Sequence, residues 1–174
     1  MRKAPFVLAF LLLNLAGPAR AQLLTVGAGP AFPGGDFNAE LSPGNALLLS
    51  ARANVSLFFL SLQFELAHSN WDWEEAGGES SLDVWQPAVN LAFRFIRVGP
   101  VRPYVLAGVL GSSQKLTTAT TEDSGVHFGY QAGAGVDFKL GPLKPFVEFR
   151  WIQLDGAEDL NVKYTALLFG LGIF

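Results

Sequence analysis

Residues 126–138 read VHFGYQAGAGVDF. Val126, Phe128, Tyr130, Ala132, Ala134, Val136 and Phe138 share one parity, and His127, Gly129, Gln131, Gly133, Gly135 and Asp137 share the other. Successive side chains of a strand point to opposite faces, so this stretch reads as a β-strand with one apolar face and one small or polar face. Its 13 residues would extend about 40 Å at roughly 3.3 Å per residue. A globular strand usually has about 5–6 residues, whereas a tilted strand needs about 9–11 to cross a bilayer.

The same period recurs along the chain. In residues 60–68 Leu60, Leu62, Phe64 and Leu66 oppose Ser61, Gln63 and Glu65; in 47–55 the apolar set opposes Ser50, Arg52 and Asn54. In 85–95 Trp85, Val89, Leu91, Phe93 and Phe95 oppose Gln86, Asn90 and Arg94, and in 147–151 Val147, Phe149 and Trp151 oppose Glu148 and Arg150. Weaker strands at 23–32, 104–113 and 162–174 complete a set of eight. Short connections follow the second, fourth and sixth strands. Longer ones, at 33–45, 70–81, 115–124 and 155–161, follow the others. Short turns on one side and long loops on the other characterise transmembrane barrels. Two of the short connections nearly repeat each other, RVGPVRPYV at 97–105 and KLGPLKPFV at 139–147.

The N-terminus reads as a secretory signal peptide over residues 1–21: a basic MRK start, an apolar run too short to span a bilayer, then Ala19-Arg20-Ala21. Residues 22–174 are then the barrel domain. Loss of Arg2, Lys3 and Arg20 from the 12 bases leaves 9 against 15 acids, a formal net charge of −6. An acidic exported chain lacks the basic footprint of nucleic-acid binding. With no cysteine, thiolate metal sites and disulfides are unavailable, and no cofactor or metal site is expected.

Charge sorts by zone. Twelve acids fall in the long loops and their margins, with Lys115 and Lys163 as the accompanying bases. Arg97, Arg102, Lys139 and Lys144 occupy the short connections, where they read as orientation and headgroup anchors. Arg52, Arg94 and Arg150 with Glu65, Asp137 and Glu148 lie mid-strand on the polar parity, a neutral set expected to pair in the lumen. No charge falls on the apolar faces, which places lipid outside and a polar filling inside. Trp85, Tyr104, Tyr130, Phe146 and Trp151 are expected at the membrane interfaces, and Trp71 and Trp73 beside the second long loop.

The signal peptide, the eight amphipathic strands, FPGGDF at 32–37 and the terminal YTALLFGLGIF together resemble the small eight-stranded outer-membrane barrels of Gram-negative-type bacteria, the OmpA/OmpX-like porin-family barrels. The resemblance implies an all-β, antiparallel up-and-down barrel in the outer membrane. It also implies that Phe174 serves as a signal for the barrel-assembly machinery. Eight strands leave room for little beyond their own side chains, so the expected role is a monomeric structural or surface-interaction barrel rather than a wide pore. It would contact lipopolysaccharide and an unidentified external partner, and would not be an enzyme. A narrow channel or transport barrel is the alternative. A weaker one rests on His68-Ser69-Asn70, which is similar to the His-x-Ser-Asn of lipid A deacylase barrels. The two side chains are adjacent here, however, and a regular strand turns them to opposite faces.

Overall fold

The computed structural model describes residues 23–35, 44–57, 59–75, 78–96, 98–117, 122–154 and 162–173. The expected signal peptide and Phe174 lie outside these residues. Eight antiparallel strands form a closed barrel: β1 (Leu23–Gly34), β2 (Ala46–Leu57), β3 (Leu60–Glu75), β4 (Gly78–Arg94), β5 (Val101–Thr117), β6 (Glu122–Phe138), β7 (Leu143–Leu154) and β8 (Val162–Ile173). Each strand pairs with its sequence neighbours, and β1 pairs with β8 to close the ring. Closure leaves no sheet edge, which a strand-built wall needs in lipid because every backbone group must find its partner within the wall.

The two near-repeats make two nearly identical turns. Val98 and Val101 exchange backbone hydrogen bonds at 3.0 and 3.2 Å, and so do Leu140 and Leu143. Gly99 and Gly141 sit at φ +62° and +64°. Pro100 and Pro142 follow, each with φ fixed at a negative value. A positive first φ and a negative second one is the type II′ pattern, whose twist matches that of the flanking strands.

At the opposite end the sequence reading needs correction. Two of the four expected long loops are largely strand: β3 and β4 pair through Glu75↔Gly78, and β5 and β6 through Thr117↔Glu122. The strands β3 to β6 have 16 or 17 residues, against 12 in β1, β2, β7 and β8. One half of the barrel therefore stands taller than the other. Period-two hydrophobicity ends where the outer face leaves lipid, but the hydrogen-bond ladder continues past that level, so polarity alone marks these hairpin ends as loops.

Candidate functional site

The expected apolar parity faces outward. Leu49, Leu62, Leu66, Leu91, Phe93, Val109, Phe128 and Phe149 are all exposed, while Arg52, Glu65, Asn90, Gln131, Glu148 and Arg150 are buried. A soluble barrel would show the opposite arrangement.

Arg52, Glu65, Glu148 and Arg150 meet near the middle of the interior. Glu65 accepts hydrogen bonds from Ser50 Oγ (2.6 Å), Asn90 Nδ2 (2.9 Å) and Arg150 Nη1 (2.7 Å), with Arg52 Nε at 3.3 Å. Glu148 accepts both terminal nitrogens of Arg52, Arg150 Nε at 3.0 Å, Arg150 Nη2, and Tyr104 OH at 2.8 Å. Two guanidinium groups and two carboxylates balance, and the remaining lone pairs of both carboxylates are met by hydroxyls and amides. Buried ions need this degree of satisfaction to offset the loss of water. Asn90 and Gln131 extend the network, the latter accepting from Arg150 and donating to Asn90.

Arg94 and Asp137 form a separate group nearer the short turns. Arg94 Nε lies 3.6 Å from Asp137 Oδ2, and Arg102 Nε lies 3.4 Å from Asp137 Oδ1. The six mid-strand charges are thus divided between two clusters, and the second draws in Arg102 from the repeated turn.

Tyr104 and Phe146, expected at the membrane interface, point inward and are 4% and 5% exposed. The reason is parity. Phe146 lies two residues before Glu148, so an inward Glu148 takes Phe146 with it. The Arg52 guanidinium lies over the Phe146 ring at 4.9 Å. Arg102 and Lys144 share this parity and face the turn-side mouth, whereas Lys139 is exposed. Trp85 and Tyr130 project outward, and Tyr130 packs on the half-exposed Trp151 at 5.4 Å between ring centroids.

The outer half of the interior differs from expectation again. It is not polar but packed with apolar side chains, among them Leu48, Leu82, Val84, Leu110, Ile152, Leu154 and Leu168, with Trp71 and Trp73 turned inward. Trp71 is fully buried, donates Nε1–H to Ser69 Oγ at 3.2 Å and meets the Tyr164 ring edge-on at 5.3 Å. The sequence signal was available in their odd numbering, which matches the inward Ser69 and Ala67 of β3. On β6, the space beside Gly129, Gly133 and Gly135 is taken by Leu154, Leu106 and Tyr104.

His68 and Ser69 do not form a catalytic pair. The ladder runs regularly through both, with His68 opposite Trp85 and Ser69 opposite Val84. His68 Nε2 bonds Asp83 Oδ2 at 2.7 Å on the outside, while Ser69 is buried inside.

The fold agrees with the comparisons. Residues 6–173 match the family model described as outer membrane protein beta-barrel domain. A 25 kDa outer-membrane immunogenic protein of Brucella ovis is 36% identical over 63 residues, which are 36% of this chain and 31% of that protein. The homologous protein of Brucella abortus is 34% identical over 71 residues, 40% of this chain and 33% of its own length. The chain spans about a third of the length of these curated relatives. Among solved structures, Neisserial surface protein A superposes with a TM-score of 0.69 at 13% identity, covering 87% of this chain and 95% of that one. Ail, the attachment invasion locus protein of Yersinia pestis, gives 0.51 at 18% identity, with 87% and 97% covered. At such identities the likeness is one of fold. With the family model spanning nearly the whole chain, the protein belongs to the outer membrane protein beta-barrel domain family and is an eight-stranded barrel of the outer membrane.

Proposed function

We propose that this protein is a sealed barrel that works through its outer surface, presenting the tall β3–β6 wall at the cell exterior. The carrying observation is the interior. A satisfied ion network and an aromatic-apolar plug are stacked along one axis, and such a filling supports neither a wide pore nor a transport path. The tall wall carries an exposed Asp72 and a half-exposed Asp83, and Glu74, Glu75, Glu79, Glu122 and Asp123 occupy positions in the same hairpins. Carboxylates are hard oxygen ligands, so divalent cations could bridge this surface to lipopolysaccharide phosphates. Ail is named for attachment and invasion, and the Neisserial protein is named a surface protein. A contact role at the cell surface is the part we carry over. The terminal YTALLFGLGIF would serve recognition by the barrel-assembly machinery during biogenesis.

The test replaces Asp72, Glu74, Glu75, Glu79, Glu122 and Asp123 by their neutral amides (Asn or Gln) in the folded protein. Loss of adhesion, serum resistance or envelope integrity is expected. If all three were unchanged, the surface role would fail. A large, stable open state in single-channel recordings would overturn the sealed interior.

A further inference from the structure

The repeated turns do more than reverse the chain. In each, a base and an aromatic lie two residues apart, Arg102 with Tyr104 and Lys144 with Phe146, so each turn delivers a cation and a ring to the same face. Tyr104, Lys144 and Phe146 line a small turn-side mouth together with Arg94, Thr25 and Gln63, and Arg102 reaches its edge through Asp137, 3.4 Å from Oδ1. Arg52, held by Glu148 and Glu65, forms its floor. Asp137 is the acid lining this mouth, flanked by Arg94 and Arg102, and Lys144 stands at its rim.

Arg94 is the telling residue. Its side chain is 9% exposed, yet Nε and Nη1 have no hydrogen-bond acceptor, and Asp137 Oδ2 stands off at 3.6 Å. A buried guanidinium with unused donors is costly, and an oxyanion with several lone pairs is the chemistry that relieves it. The planar fork of Arg94, a second guanidinium and a compact ammonium approach from three strands, an arrangement suited to a multi-oxygen anion. The apolar plug closes the other end, so a ligand would enter from the turn side.

We propose that this mouth binds a phosphate oxyanion, held by Arg94, Arg102 and Lys144 above a floor made by Arg52. The phosphate is either free inorganic phosphate or the headgroup phosphate of a phospholipid in the adjoining leaflet. The proposal does not depend on the surface role.

Full-length protein, folded in detergent and confirmed by its heat-modifiable band, is titrated with inorganic phosphate at low ionic strength by calorimetry. In parallel, native mass spectrometry compares retention of phosphatidic acid with that of diacylglycerol. Saturable binding is expected, weakened about tenfold or more in Arg94→Gln and Lys144→Gln, as loss of a charge-assisted hydrogen bond implies. Lys144 is only half-buried at the rim, so its variant remains informative if Arg94→Gln misfolds. Lys139→Gln, on the same side but outside the mouth, should bind inorganic phosphate as the wild type does. Variant-sensitive binding of inorganic phosphate identifies the free anion, and variant-sensitive retention of phosphatidic acid alone identifies the headgroup. Binding of neither ligand, or equal binding in the wild type and both mouth variants, overturns the site.

Discussion

Arg52 and Glu148 grip each other across the barrel interior in a forked ion pair, Nη1 to Oε2 at 2.8 Å and Nη2 to Oε1 at 3.0 Å. Their strands, β2 and β7, are not neighbours in the wall. The pair is therefore a strut through the lumen. Removing Arg52 alone leaves two buried carboxylates against Arg150, and Arg52→Ala should cost about 3–5 kcal/mol. Removing both partners as Arg52→Met with Glu148→Leu leaves Arg150 and Glu65 as a balanced pair at 2.7 Å. The double variant should be the more stable of the two. Urea unfolding in lipid vesicles, followed by tryptophan fluorescence, measures both. A double variant less stable than Arg52→Ala would show that the strut is more than charge balance.

The plug makes a separate prediction. Trp71 is 0% exposed and wedged against Tyr164. Trp71→Ala should destabilise the barrel by about 3–5 kcal/mol, the usual cost of truncating a buried aromatic side chain. Trp71→Phe, which keeps a ring but loses the bond to Ser69, should cost less. The same unfolding assay ranks the two.

The turns can be tested through backbone strain. Gly99 and Gly141 occupy φ +62° and +64° with nothing within 4 Å of where a Cβ would stand. Any cost of Gly99→Val or Gly141→Val is thus conformational and not steric crowding by neighbours. Each should lose about 1–2 kcal/mol, with a further loss in the pair. Equal stability of Gly99→Val and the wild type would refute the turn geometry.

The orientation of the faces predicts a depth-dependent penalty. Leu91 is 53% exposed and lies opposite Leu62 and Ala107. In a bilayer, Leu91→Arg should cost about 2–4 kcal/mol near the midplane. On a soluble barrel the same change would be nearly silent. Folding titrations in vesicles distinguish the two, with Asp72→Arg, at an exposed position beyond the girdle, as the control.

Particular residues show how far the sequence could be read. The mid-strand charges Arg52, Glu65, Glu148 and Arg150 stand out because each interrupts no apolar face, and the structure buries all four. Tyr104 and Phe146 were misplaced because their type suggested an interface while their parity, shared with Leu106 and Glu148, pointed inward. Parity is geometric and type is statistical, so parity prevailed. The inward Trp71 and Trp73 follow the same rule, hidden because β3 continues beyond the last apolar outward residue, Leu66, into a polar stretch.

The sequence by itself determined the strand count, the alternation of faces along each strand and the place of the two Gly-Pro turns, because period two and turn chemistry are local properties. Tertiary structure decided which charges meet. Arg52 is directly opposite Glu65 in the ladder, yet it also spans the lumen to Glu148. Arg150, next but one to Glu148 along β7, also crosses to Glu65. Those contacts depend on how the closed wall curves and how its strands are staggered, and on long side chains reaching across about one barrel radius. No local pattern encodes that. Closure also brought Lys144 of β7 to the same turn-side end as Arg94 and Arg102, which the consecutive strands β4 and β5 already place together.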